Sequence, residues 1–122
     1  MKLEIRQVMD YGALDSERVK LIAIEDCNLK HYMIIDTTYT GERTISNKMR
    51  HTFWFEPREL IKGDEIVLYT GEDIAKKTKI NGGKNKRYTF YWGLGTAVWN
   101  NTGDAAVLFQ ISGWATTKVI QN

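Results

Sequence analysis

Tyr88-Thr-Phe-Tyr-Trp-Gly-Leu-Gly-Thr-Ala-Val-Trp-Asn-Asn-Thr-Gly-Asp-Ala-Ala-Val-Leu-Phe109 is the stretch whose reading decides the fold. Two β-prone runs, Tyr88 to Trp92 and Ala105 to Phe109, flank glycines and the tetrad Asn101-Thr102-Gly103-Asp104. Aromatic and β-branched residues suit a pleated, half-buried surface. Gly103 can take the left-handed conformation, and Asn and Asp side chains can bond nearby backbone groups, so the tetrad predicts a hairpin turn. Trp92 and Trp99 are large enough to fill the space between two sheets about 10 Å apart. A buried indole needs an acceptor, so each is expected to donate to a backbone carbonyl.

Working outward, the rest of the chain carries the same signature. Lys2 to Val8 places Leu3 and Ile5 on one face and charges on the other, the alternation of a half-buried strand. Asp10 to Glu17 reads as a loop, Val19 to Ile24 as a central strand covered on both faces or ending in the core, and Glu25 to Asn28 as a turn. His31 to Asp36 and His51 to Glu56 are further strands, separated by a polar loop from Thr37 to Lys48. Pro57 closes the second, because proline cannot donate to a ladder. Arg58 to Asp64 has the composition for one helical turn, and Glu65 to Tyr69 is a strand ending at Thr70-Gly71. Residues 72–87 lack an apolar pattern, and Asn81-Gly82-Gly83 marks a hairpin tip or loop there. A last strand is expected over Trp114 to Ile120. About eight short antiparallel strands without a helical stripe predict an all-β sandwich.

The chain has 122 residues, room for a single domain, 1–122, with one ordinary core. Its composition, 43% hydrophobic and 26% charged with one Pro, is that of a globular chain, with fraying expected only in the last residues. The lone Cys27 excludes an intramolecular disulfide and fits a reducing compartment. The N-terminus alternates charged and apolar residues rather than forming a signal-peptide core, so a cytoplasmic location is expected. No apolar run approaches the roughly 20 residues that span a bilayer, so no membrane partner is expected.

The order of motifs resembles the lamin-tail domain family. Val98-Trp-Asn-Asn-Thr-Gly103-Asp104 before Ala105 to Phe109 is similar to that family's Asn-rich step through Gly-Asp or Gly-Glu into a strand. Leu60-Ile-Lys-Gly63-Asp64-Glu65 resembles its Leu-x-x-Gly-Glu step, and Glu17-Arg-Val19-Lys-Leu21 its opening Glu-x-Val-x-Leu strand. Leu29-Lys-His-Tyr32-Met-Ile34-Ile-Asp36 stands in place of Leu-x-Gly-Trp-x-Leu-x-Asp, with Tyr32 at the Trp position. The chain departs in lacking a Gly before Tyr32 and in carrying Gln110-Ile-Ser-Gly113-Trp114 where the family has a Gly-rich hairpin. The resemblance covers roughly residues 17–110. It implies an immunoglobulin-like β-sandwich used for adhesion or docking, found beside catalytic domains in bacterial proteins and behind a coiled coil in nuclear lamins.

Motifs that carry chemistry are weak. Gly93-Leu-Gly95-Thr-Ala-Val98 has two glycines of a dinucleotide fingerprint but Val98 at the third position and no helix after it. Cys27, His31, His51 and Asp26 or Asp36 are too few for a zinc set, and a lone cysteine is usually a small buried hydrophobe. Asp15, Glu17, Glu56 and Glu59 read as exposed carboxylates, and Asn100-Asn101-Thr102 is a glycosylation sequon only in a secreted chain. No catalytic residue, metal or cofactor is expected, and the chain is read as no enzyme.

The charge pattern is sharper. Lys76, Lys77, Lys79, Lys84, Lys86 and Arg87 are six cations in twelve residues with no anion, although the net charge is only +2. With Tyr88, Phe90 and Tyr91 beside them, such a hairpin can track a phosphate backbone while rings stack on bases. The plainer reading, and the preferred one, is a solvated loop whose lysines guard an edge strand. The expected function is therefore a non-catalytic binding or structural module with a protein partner engaged through a sheet edge or an aromatic patch. Nucleic-acid or polyanion binding through Lys76, Lys77, Lys79, Lys84, Lys86, Arg87 and Tyr88 is the alternative, and an edge-strand dimer is compatible with either.

Overall fold

The computed structural model describes residues 1–100 and 103–120. The chain is all-β, as the alternation predicts, and the described residues form ten strands where about eight were expected: β1 (Leu3–Met9), β2 (Arg18–Ala23), β3 (Cys27–Asn28), β4 (Tyr32–Thr38), β5 (Thr52–Trp54), β6 (Glu59–Leu60), β7 (Glu65–Tyr69), β8 (Lys76–Ile80), β9 (Asn85–Tyr91) and β10 (Asp104–Gln110). Single 3-10 turns lie at Leu29–His31 and Asn81–Gly83. A five-stranded sheet runs β1-β2-β7-β9-β8, a three-stranded sheet runs β10-β4-β5, and β3 pairs with β6 alone.

The core lies between the inner faces of the two larger sheets. Val19, Leu21 and Ala23 of β2, Ile66 and Leu68 of β7, and Tyr88 and Phe90 of β9 meet Tyr32, Ile34 and Leu108 from β4 and β10. Each fully buried Leu, Ile or Val side chain contributes about 1.5–3 kcal/mol. Strict period-2 alternation leaves the partners of these residues on the outside, so β2 presents Arg18, Lys20 and Ile22 to the other face. It is thus half-buried rather than covered on both faces. Phe53 of β5 bridges the layers, edge-on to Phe55 and Trp92.

Not every pair is antiparallel. β7 and β9 are parallel, with Glu65, Val67 and Tyr69 opposite Arg87, Thr89 and Tyr91. The chain leaves β7, passes the end of β9 through residues 70–75, runs back as β8 and returns as β9 between the two. Trp92, Gly93 and Leu94 fasten that crossing by donating to the carbonyls of Tyr69, Gly71 and Thr70 at 2.8, 3.0 and 2.9 Å.

Other expectations are corrected. Arg58 to Asp64 forms no helical turn: β6 pairs with β3, and Gly63, at φ +94°, turns the chain into β7. Asn101 and Thr102 lie outside the described residues, as do Gln121 and Asn122, whose fraying was expected. Gly103-Asp104 does not close a hairpin between β9 and β10, since those strands belong to different sheets and β10 pairs with β4. Residues 111–120 form no strand. After Ile111 donates to His31, the chain crosses the end of β4, and Trp114 is held by ring contacts with Trp54 and His31 rather than by a strand ladder. The Trp92 indole donates to the Thr52 carbonyl at 3.1 Å, as expected, whereas the buried Trp99 indole has no acceptor among the described residues.

Glu17 is no exposed carboxylate. It is fully buried at the start of β2, accepting from Gly12 N at 2.9 Å, Val98 N at 2.8 Å, Trp99 N at 3.4 Å and the Thr70 hydroxyl. It ties the β1–β2 loop, the end of β7 and the segment before β10 together.

Candidate functional site

The outward residues of the five-stranded sheet form rows, because partners in register share a face. Arg18, Tyr69 and Tyr91 make one row across β2, β7 and β9; Lys20, Val67, Thr89 and Lys76 make the next, extending to β8; Glu65, Arg87 and Thr78 make a third. All of these but Glu65 line a groove of about 370 Å³ open to solvent, with Met9 beside them. Val67 and Thr89 form its floor, nearly covered at 7% and 9% exposure, because the stems of longer side chains lie over them.

Four cations stand around that floor: Arg18 and Lys20 from β2, Arg87 from β9 and Lys76 from β8. Glu65 stands at the groove's margin, 3.1 Å from Arg87 and 3.6 Å from Lys20. Arg18 is fixed from outside the groove by Asp10 and by the Ser16 carbonyl, both at 2.8 Å. The first row is a stack. Tyr69 and Tyr91 lie 5.2 Å apart at 15°, with the Arg18 guanidinium 5.6 Å from one ring and the Lys76 ammonium 5.7 Å from the other. Contact with the Tyr91 side chain, helped by Asp73, raises the Lys76 pKa above its ordinary value and keeps it charged. The tyrosine ring faces are thus occupied by each other and by cations, and their edges meet solvent.

The alternation divides the basic hairpin. Lys76 and Arg87 line the groove. Lys77 lies opposite Tyr88, and Lys79 opposite Lys86, on the other face of the same two strands. Lys84 follows the Asn81–Gly83 turn. Tyr88 is buried, with the Arg58 guanidinium 5.1 Å from its ring, and Phe90 is in the core, so neither offers a free ring face. The groove adds Tyr69, at the end of the preceding strand, and Arg18 and Lys20, which lie far upstream of the hairpin in sequence. The one local signal for the first two was the alternation Arg18-Val-Lys20-Leu, which puts both cations on the face opposite Val19.

The nucleophile and metal candidates stand apart. Cys27 is half-buried; burial is the main cause pushing its thiol above the ordinary value, and Asp26, Asp64 and Glu25 add to it against the opposing Lys2. His31 meets the Ile111 carbonyl at 3.1 Å, whereas His51 meets the buried Asp36 at 3.0 Å and lies edge-on to Trp92. Among the described residues no group of three or more His, Cys, Asp or Glu side chains could hold a metal ion. Nor is any helix long and apolar enough to cross a membrane. Searched against protein-family models and curated protein sequences, the chain matches none.

Proposed function

We propose that the chain is a non-catalytic binding module, an immunoglobulin-like β-sandwich of the lamin-tail kind, that holds an acidic segment of a partner protein across the outer face of its five-stranded sheet. The observation that carries this is the ring of Arg18, Lys20, Lys76 and Arg87 around the Val67–Thr89 floor, opposed by Glu65 beside Lys20 and Arg87, by Asp10 on Arg18 and by Asp73 near Lys76. An extended acidic peptide lying across the strands would meet cations on both banks, the geometry in which charge complementarity sets register and on-rate. The lamin-tail reading is supported by the placement of its motif residues: Leu60 to Glu65 leads from β6 into β7, Gly103-Asp104 opens β10, and Tyr32 to Asp36 lies in β4. A cytoplasmic setting is part of the proposal, because a lone half-buried thiol stays reduced there.

Binding of single-stranded nucleic acid is the second reading, favoured by the six cations of 76–87. Against it, the groove lacks a free aromatic face for a base, and three of the six cations point to the other side of the hairpin. Titrating the protein at low salt with a ten-residue polyglutamate peptide and with a ten-residue oligothymidylate, followed by amide NMR shifts, tests both. Shifts at Val67, Tyr69, Thr89 and Tyr91 with the peptide are expected. A response to the oligonucleotide alone would replace the first reading by the second, and shifts elsewhere or none would overturn both.

A further inference from the structure

We propose that β10 is the pairing edge for a second copy of this chain, giving a twofold dimer with a continuous six-stranded sheet made of the two three-stranded sheets. An unpaired strand edge offers a row of free N–H and C=O groups, and proteins guard such edges with charge, bulges or brevity. Among the described residues the other edges are guarded. β8 carries Lys76, Lys77 and Lys79; β1 is bulged between Ile5 and Gln7 beside the Glu4–Arg6 ion pair; β5 has three residues. β10 has seven, Asp104-Ala-Ala-Val-Leu-Phe-Gln110, with no Pro or Gly, no bulge in its ladder and no charge after its first residue.

The ladder shows which groups are free. Tyr39 donates to Gly103, and Ile111 donates to His31, so the odd-numbered residues of β10 bond to β4. Ala106 and Leu108 therefore aim their N–H and C=O outward. By the same parity, Ile24 donates to Lys2, so Leu3 and Ile5 of β1 also turn their backbone groups away from β2. Both edges face one mostly apolar cleft of about 480 Å³, where Glu4 stands among Leu3, Ile5, Ala106, Val107 and Leu108.

The occupant follows from β10 itself, which is complementary to its own reverse. With a twofold axis at Val107, Leu108 of one copy lies opposite Ala106 of the other, Phe109 opposite Ala105, and Gln110 opposite Asp104. Large meets small at the Leu108–Ala106 and Phe109–Ala105 pairs, and no like charges face each other. The outward residues 106 and 108 fall in hydrogen-bonded pairs, and the two Val107 residues meet as a non-hydrogen-bonded pair, with Cα atoms about 4.5 Å apart. The second copy would cover the cleft.

The intact chain is tested by sedimentation equilibrium up to about 1 mM, a range that reveals even weak association. Twice the 14.1 kDa chain mass is expected at the upper end. Val107→Lys and Val107→Glu each place like charges at the axis and are expected to weaken dimerisation at least tenfold, and an equimolar mixture to restore it; that recovery could not come from variants that misfold. In a Cys27→Ser background, Val107→Cys is expected to give a disulfide-linked dimer on mild oxidation, since the axis spacing suits a disulfide, whereas Thr78→Cys on the β8 edge does not. A chain that stays at 14.1 kDa across the range, or a dimer indifferent to charge at Val107, would overturn the proposal.

Discussion

Glu17 illustrates how far a residue's role departs from its type. A carboxylate in a loop-to-strand step reads as solvated, yet this one is wholly buried and spends its oxygens on three backbone N–H groups and the Thr70 hydroxyl. Among the described residues no cation forms a salt bridge with it, so the hydrogen bonds offset its desolvation. Glu17→Ala leaves three buried donors, Val98 N, Trp99 N and the Thr70 hydroxyl, unpaired, and with about 1–3 kcal/mol for each orphaned group the expected loss is at least about 3 kcal/mol in urea unfolding. Glu17→Gln, which turns an NH2 group toward some of those donors, should recover part of it, while exposed Glu42→Ala should stay within about 0.5 kcal/mol of the parent. Gly63 and Gly93 separate conformation from crowding. Both hold positive φ, +94° and +81°, but a Cβ at Gly63 would stand 2.8 Å from Asn85 Oδ1 and one at Gly93 would meet nothing within 4 Å. Alanine is thus expected to cost about 1 kcal/mol at Gly93, from φ alone, and roughly twice that at Gly63.

Among the elements, the β8–β9 hairpin shows what alternation does to a charge cluster. Read along the chain, six cations look like one basic loop; folded as two paired strands, they go to opposite faces. The strand was illegible because both faces of β8 are exposed, which leaves Lys-Lys-Thr-Lys without the apolar beat that announces a strand. β7 was legible for the opposite reason: Ile66 and Leu68 face the core and turn signals bound the run. Half of the groove was legible with it, Lys76 and Arg87, while Arg18, Lys20 and Tyr69 join only through pairings of β2 with β7 and β7 with β9 that local sequence does not encode. The division predicts a difference between two double variants of equal charge change. Lys76→Ala with Arg87→Ala should weaken polyglutamate binding at least tenfold, about 1.4 kcal/mol, whereas Lys77→Ala with Lys79→Ala should change it less than threefold, as measured by calorimetry at low salt.

For the molecule as a whole, the all-β class and the inward residues of most strands follow from periodicity, but strand order does not. Nothing in Glu65 to Tyr91 says that the chain must run β7, β8, β9 and then place β9 between the other two, because that order is decided by which apolar faces meet across the core. The same assembly buries two weak acids, and this gives stability a pH dependence that no single strand would have. Tyr32 is 1% exposed in the core, where loss of hydration raises its phenol above the ordinary 10.0 despite nearby backbone N–H groups of Lys2 and Leu3; Cys27 is raised above 9.0 for the same reason. Below about pH 9 both groups keep their protons whether the chain is folded or not, and they contribute no slope. As pH rises past 9.0 and then 10.0, the unfolded chain releases these protons while the folded chain retains them. The folded state then binds more protons than the unfolded one, so stability falls with rising pH. Urea midpoints should accordingly decline from about pH 9 upward. Cys27→Ala should flatten the first part of that decline and Tyr32→Phe the later part, and a midpoint that falls equally in the parent and both variants would assign the loss to other groups.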